Sequence, residues 1–287
     1  METVDSDCAA AIRVGEHVCC RLAHAEDRER LALAFVLSGL RRGEKVLYLA
    51  AREDTGAFAT QLAGDDRLAS AMNAGQLEMR DARDAYTQTG PFDARETLEA
   101  MNAEHRAALA GGYAGLSLTA EMSWALDLPR SEELDAYEDG YSARVGRGTF
   151  AVFCQYDHAR FGAGTLHHVA AAHDADISPE LAAIGRDGYF AAARVGTGAA
   201  ALLRLAGDLD FDCCASLVGV LDAHFHGKLR LDLTDLSFVD VAGMRALRGR
   251  TGQPLEIVAA STAVHRLLAL LAWGTDPMIE VPSVSAA

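Results

Sequence analysis

Imidazole, thiol and carboxylate side chains are where this sequence could do chemistry, and their spacing decides which kind. His17, Cys19 and Cys20 fall close together in Glu16-His17-Val18-Cys19-Cys20-Arg21-Leu22, and Cys154 lies in a second apolar run, Thr149 to Tyr156. Such nitrogen and sulfur donors are borderline-soft and can hold zinc or another transition metal. The six cysteines (Cys8, Cys19, Cys20, Cys154, Cys213, Cys214) contain no Cys-x-x-Cys, so neither a zinc ribbon nor a thioredoxin-type redox pair is present. His167, His168 and His173, with Asp174 and Asp176, do not follow His-Glu-x-x-His spacing and read as a polar, solvated connection. The loop Ala23-His24-Ala25-Glu26-Asp27-Arg28 has no glycine and no lysine. A phosphate cradle needs backbone amides brought close by glycines and a lysine for the terminal phosphates, and Glu26 and Asp27 repel an anion. ATP hydrolysis by the usual route is not expected.

The elements that must position these groups alternate between strand-like and helix-like runs, the pattern of an α/β fold. In the first part, strands are predicted at Glu16 to Leu22, Lys45 to Ala50, Gln76 to Arg80, Gly115 to Met122 and Thr149 to Tyr156. Helices are predicted at Asp27 to Leu40, where Leu31, Phe35 and Val36 supply an apolar face, and at Thr55 to Ala63, Ala94 to Ala110 and Ser131 to Val145. That order makes a doubly wound, mostly parallel sheet. Residues 163–186 read as a connecting segment. A second α/β unit with a mixed sheet is expected over 187–287. It has a hairpin around Gly196-Thr197-Gly198, a helix at Phe211 to Phe225, a strand at Lys228 to Leu233, a helix after Asp240, a strand at Pro254 to Ala259, a helix at Ala263 to Leu271 and a last strand at Pro277 to Val281.

Composition narrows the function classes. The chain has 287 residues, half of them hydrophobic, and 26 Lys plus Arg against 41 Asp plus Glu give a net charge of -15. That charge repels phosphate backbones and anionic lipid, so no direct nucleic-acid or membrane partner is expected. From Asp187 onward there are 8 basic and 11 acidic residues, a net of -3, which leaves -12 upstream. No apolar stretch is long enough to span a bilayer, and the N-terminus lacks the basic start and apolar run of a secretory signal. A reducing, cytoplasmic setting is expected, and the vicinal cysteine pairs fit it.

The segment Leu229-Arg230-Leu231-Asp232-Leu233-Thr234-Asp235-Leu236-Ser237-Phe238-Val239-Asp240-Val241-Ala242-Gly243-Met244 resembles the STAS family, the fold of bacterial anti-sigma factor antagonists. In that family an apolar strand runs into an Asp-Ser-Ser-Gly turn that begins a helix, and a partner kinase phosphorylates the second serine. Here that position is Ala242, preceded by Val241, so the phosphosite is absent. The resemblance implies a protein partner, an anti-sigma factor or related histidine-kinase-like regulator. Asp240, Val241, Ala242, Gly243 and Met244 would form the contact, since an apolar turn suits a hydrophobic interface.

Four phrases upstream, Gly15-Glu16-His17-Val18-Cys19, Gly39 to Tyr48, Glu121-Met122-Ser123-Trp124 and Cys154-Gln155-Tyr156-Asp157, resemble the MEDS family. It is a relative of the RecA-like fold that lacks the P-loop and senses small molecules such as hydrocarbon derivatives. The resemblance covers 12–162 and implies a RecA-like core with a small-molecule ligand. In such sheets ligands bind beyond the carboxyl ends of the strands, where Arg52, Glu53 and Asp81 also fall. The ligand-binding candidates are His17, Cys19, Arg21, Glu121, Trp124, Cys154, Tyr156 and Asp157. By the same analogy the last strand pairs with the first and brings Cys154 near His17, Cys19 and Cys20. Buried cysteine is more often a small hydrophobe and a strand histidine more often bonds a backbone carbonyl, so no metal, cofactor or catalytic residue is assigned. The expected function is a non-catalytic sensor joined to a partner-binding module; a nucleotide- or metal-binding enzyme on the RecA-like scaffold is the alternative.

Overall fold

The computed structural model describes residues 12–51, 65–87, 91–144, 148–184, 190–249 and 253–281. The chain divides into two compact units, one spanning Ile12–Pro179 and one containing Glu180–Ala287. The helix expected at Thr55 to Ala63, together with Arg52 and Glu53, lies outside the described residues.

The first unit begins with β1 (His17–Leu22), α1 (Ala25–Arg41), β2 (Lys45–Ala50), α2 (Asp66–Asn73), β3 (Leu77–Asp81), α3 (Ala82–Thr87) and α4 (Ala94–Ala110). It continues with β4 (Leu116–Glu121), a 3₁₀ turn at Ser123–Asp127, α5 (Ser131–Arg144), β5 (Phe150–Asp157), α6 (Ala163–Ala172), β6 (Ala175–Ile177) and the start of α7 (Pro179–Ile184). Its strands lie in the order β6-β1-β5-β4-β2-β3, and every pairing among them is parallel. Parallel strands covered on both faces are apolar along most of their length rather than alternating. Leu47 and Leu49, Leu116 and Leu118, and Val152 and Cys154 are all buried in one core cluster with Tyr137 and Tyr141 from α5. On α1, Leu31, Phe35 and Val36 face the sheet. Gly39 lets that helix come close to β4, because a Cβ there would stand 2.8 Å from Ser117 Oγ. Asp93 caps α4 by accepting from the Glu96 amide at 2.9 Å, so the predicted start and end of that helix are the observed ones.

Three differences from the sequence reading stand out. The short helices α2 and α3 carry too few turns for a periodic apolar face to declare itself. Within the expected connecting segment, residues 163–184 include regular elements: α6 buries Leu166 and Val169, and β6 adds Ala175 and Ile177 to the edge of β1. Its polar residues had suggested solvent, but His173 and Asp176 are both buried.

The second unit contains β7 (Phe190–Val195), β8 (Leu202–Leu209), α8 (Phe211–His224), β9 (Leu229–Val239), α9 (Val241–Arg248), β10 (Leu255–Ala260), α10 (Thr262–Leu270) and β11 (Ile279–Glu280). The sheet order is β11-β10-β9-β8-β7, with β7 and β8 antiparallel and the other pairs parallel, so the sheet is mixed as expected. Strand β9 runs past Leu233 through Thr234 and Ser237 to Val239. Asp240 then caps α9, its carboxylate accepting from the Gly243 amide at 2.6 Å. Among the described residues no helix is long and apolar enough to cross a membrane.

Gly243 is required by contact rather than by backbone angle, because a Cβ there would lie 2.5 Å from the Leu209 carbonyl oxygen. Gly243→Ala therefore forces α9 away from β8 and should cost about 1–3 kcal/mol by overpacking. Urea unfolding checks this, and an unchanged midpoint would mean that the helix can shift freely.

Candidate functional site

Strand-end geometry in the first unit separates the ligand-binding candidates into three neighbourhoods. Glu121 and Trp124 line a cavity of about 370 Å³ together with Ala51, Asp81, Ala82, Arg83, Ser123 and Arg160. These residues stand at or just past the carboxyl ends of β2, β3, β4 and β5, where ligands bind in sheets of this kind. The Glu121 carboxylate is buried and accepts from the Ser123 amide at 3.0 Å and the Ser123 hydroxyl at 2.5 Å. Trp124 stacks on Tyr86 with ring centroids 4.1 Å apart, while Arg83 pairs with Asp127 across the exposed rim. The lining is thus one aromatic face bordered by both signs of charge. Arg83 and Arg160 gave no signal in the sequence, since they lie on a helix and a turn with no motif.

Arg21 and Cys19 form the second neighbourhood. Arg21 donates from Nε to Asp176 Oδ1 at 2.8 Å and from Nη2 to Asp176 Oδ2 at 2.6 Å, a two-point pair between β1 and β6. The Cys19 thiol donates to the same Oδ1 at 3.3 Å. Burial first, and Asp176 second, hold that thiol well above its ordinary pKa, so it is a neutral donor. Cys19 pairs in register with Cys154 as expected, while its sulfur is engaged by Asp176. Asp157 is likewise local, its Oδ1 accepting from the amides of Ala159 and Arg160.

His17, Cys154 and Tyr156 make the third. Parallel pairing sets Cys19 opposite Cys154, and His17 Nε2 lies 3.4 Å from Cys154 Sγ. Two groups absent from the expected ligand-binding set complete the cluster: Glu138 from α5 and His173 from the end of α6. Glu138 Oε2 is 3.4 Å from both His17 Nε2 and His173 Nε2, and the Tyr156 hydroxyl donates to Glu138 Oε1. All five residues are buried. Burial raises the Glu138 carboxyl to about 8 and the Cys154 thiol well above its usual range. Desolvation lowers His173 to about 4, and burial with the neighbouring His173 lowers His17. Sequence could not join these groups, because His173 looked like linker and Glu138 is one acid of several in a strongly acidic helix.

The loop between β1 and α1 is only Ala23-His24, with Glu26 and Asp27 in the helix's first turn. Two residues do not suffice to wrap a phosphate group.

In the second unit, the expected contact residues divide. Val241 is exposed at 41% and Ala242 is half-buried, whereas Met244 is fully buried and Gly243 packs on Leu209. Met244 and Gly243 therefore belong to the unit's own core and not to an outer face. Phe211 and Phe238 are exposed, at 75% and 52%. The Asp240 amide donates to the Leu209 carbonyl at 3.2 Å, which sets the β8 and β9 ends side by side.

A model of the family "MEDS: MEthanogen/methylotroph, DcmR Sensory domain" matches residues 16–174. A model described as "Mlab, STAS domain" matches residues 192–280. No curated protein matches the chain. Among solved structures, the flagellar accessory protein FlaH from Methanocaldococcus jannaschii is similar at 12% identity, with a TM-score of 0.45 over 70% of this chain and 92% of that one. The KaiC-like protein PH0186 from Pyrococcus horikoshii OT3 is also similar at 12% identity, with a TM-score of 0.42 over 68% of this chain and 82% of that one.

The Arg21–Asp176 pair is half-buried on one side and buried on the other. Asp176→Ala removes both of its hydrogen bonds to Arg21 and should cost about 3 kcal/mol in urea unfolding. A loss below about 1 kcal/mol, the scale of a surface pair, would place the contact in solvent.

Proposed function

Because the chain belongs to the MEDS sensory-domain family and carries a STAS domain after it, we propose that it is a non-catalytic signalling protein of the cytoplasm, in which a small-molecule sensor is joined to a partner-binding module. The observation that carries the first half is the cavity at the strand ends, walled by Trp124, in a unit whose β1–α1 turn is reduced to Ala23-His24. With no phosphate cradle, the natural occupant is a small organic molecule. Its apolar part lies on the Trp124 ring and its polar part is met by Arg83, Arg160 or the Glu121 side. Free thiols at Cys19, Cys20, Cys154, Cys213 and Cys214 agree with a reducing compartment.

For the second half, the partner is an anti-sigma factor or a related regulator, as is general for STAS domains. Docking is independent of phosphorylation at the usual position, since Ala242 has no hydroxyl. Val241, Ala242 and Asp240 remain at the contact. Phe211 and Phe238 extend it, because they leave the same pair of strand ends and are too exposed to be held by the unit's core.

Two measurements test this. Titrating short-chain alcohols or halogenated hydrocarbons should give a saturable change in indole emission that survives Trp273→Phe and disappears in Trp124→Phe. Calorimetric titration with Mg-ATP should give no heat up to millimolar nucleotide; a saturable nucleotide isotherm would replace the sensor with a nucleotide-binding reading. For the module, Val241→Glu and Ala242→Glu should each weaken capture of a histidine-kinase-like anti-sigma factor at least tenfold, about 1.4 kcal/mol. Unchanged capture would put the interface on another face.

A further inference from the structure

The buried group of His17, Glu138, Cys154 and His173 is not among the residues that line the cavity. We propose that it binds a single zinc ion, through His17 Nε2, His173 Nε2, Cys154 Sγ and Glu138 Oε2, as a structural centre of the first unit.

Geometry is the first argument. The ligand atoms of the four residues all lie within 4.8 Å of one another. Three of the pairs, His17 with Cys154, His17 with Glu138 and His173 with Glu138, are at 3.4 Å. Tetrahedral zinc with bonds of about 2.0–2.3 Å puts neighbouring ligand atoms about 3.3–3.8 Å apart. These three separations already match edges of a zinc tetrahedron, and small side-chain shifts would bring the remaining ones, within 4.8 Å, to the same length.

Orientation is the second. His173 Nδ1 lies 2.7 Å from the Val169 carbonyl, which can only accept, so Nδ1 carries the proton and Nε2 presents its lone pair to the cluster. A backbone carbonyl or carboxylate fixing the far nitrogen is the usual support of a metal-bound histidine. Glu138 is supported in the same manner, with Oε1 taken by the Tyr156 hydroxyl and Oε2 left for the centre. His17 stacks on Tyr141, with ring centroids 4.2 Å apart, and meets the tilted His173 ring at 3.7 Å, which sets its ring plane.

Satisfaction is the third. Glu138 Oε2 and His173 Nε2 are buried with no hydrogen-bond partner among the described residues, although they lie 3.4 Å apart. Orphaned buried polar atoms cost free energy comparable to a lost hydrogen bond, and here two of the four proposed ligand atoms are such orphans. One divalent cation would satisfy all four. It would also balance charge: binding releases the Cys154 and Glu138 protons to solvent, and thiolate plus carboxylate neutralise the cation in a site where a net charge is costly. The set has two imidazoles, one thiolate and one carboxylate, which suits zinc better than the all-oxygen sites of magnesium or calcium. Four protein ligands leave no open position, the mark of a structural rather than a catalytic zinc.

The proposal does not depend on what fills the cavity or on the STAS partner. To test it, the full chain is purified from zinc-supplemented medium, desalted, and assayed for metal by elemental analysis. About one zinc per chain is expected. Co²⁺ substituted for zinc should give the intense ligand-field bands of a tetrahedral site and a thiolate charge-transfer band. Cys154→Ser should abolish the charge-transfer band. Glu138→Gln is the decisive variant, because it keeps the side chain's shape and removes only a buried carboxylate. With no metal in the wild type, this change would leave stability unaltered or raised. With zinc bound, it should lose the metal and lower the melting temperature. Tyr156→Phe, which frees Glu138 Oε1, should weaken zinc about 10–100-fold, while Cys214→Ser should change nothing. Two results would overturn the centre: a folded wild-type chain holding less than about a tenth of an equivalent of zinc, also after refolding with Zn²⁺, or Cys154→Ser and Glu138→Gln chains holding as much zinc as the wild type.

Discussion

Strand β1 is hydrogen-bonded on both edges, to β5 over its whole length and to β6 over its middle, and that double pairing fixes where the chemistry of the first unit can be. A strand held in this way cannot slip, since a shift of one residue would turn each side chain to the opposite face. His17 is fixed further by its own backbone: its amide donates to Asp174 Oδ2 at 2.9 Å and its carbonyl accepts from the Asp174 amide at 2.8 Å. His173, the preceding residue, is thereby delivered to the His17 ring. Cys154 arrives by β5 pairing, and Glu138 by α5 packing over the same face. Four polar residues from distant parts of the chain are buried together because the backbone ladder leaves them no other place.

The same strand leads into a turn that has surrendered the anion site usual for this kind of sheet. An α1 N-terminus carries partial positive charge and unpaired amides that could receive a phosphate. In this chain Glu26 and Asp27 occupy that first turn, and Asp27 is buried. The helix's own carboxylates use the field that a nucleotide would need. Open volume is found instead past the ends of β2, β3 and β4, with Trp124 as its apolar wall. A cavity of about 370 Å³ falls within the range of small-ligand pockets.

How far the sequence could be read follows from which forces are local. Elements with long apolar periodicity and strong ends were legible: β2 and α4 have the bounds that their sequences predict, and the Gly196-Thr197-Gly198 hairpin is antiparallel. Short helices such as α2 and α3 were not, because one or two turns leave no repeat to find. The solvated reading of His173 and Asp176 failed for a different reason. His173 and Asp176 are polar residues that face inward, each given a partner by tertiary structure, and burial of a polar group cannot be inferred from its type. Of the site, the approach of Cys154 to His17 was legible from the strand order that the family resemblance implies. Glu138 and the true orientation of Cys19 were not, because both depend on which side chain reaches which atom across the sheet.

In the second unit the trade of hydroxyl for methyl at Ala242 has a structural complement. Asp240 already satisfies the Gly243 amide and sets a negative charge at the α9 N-terminus, where it complements the helix dipole. A phosphate at residue 242, two residues beyond, would be a second anion at a helix end whose leading charge is already met. What the turn offers outward instead is the Val241 side chain, while Met244 anchors the helix from beneath and Gly243 permits its close seat on β8. The two functions of the turn are therefore divided between neighbours. Gly243 and Met244 make the helix rigid, and Val241, with Phe211 and Phe238 from the adjoining strand ends, is left as apolar surface that the unit itself does not cover. Rigid apolar side chains at an interface lose little conformational entropy on docking.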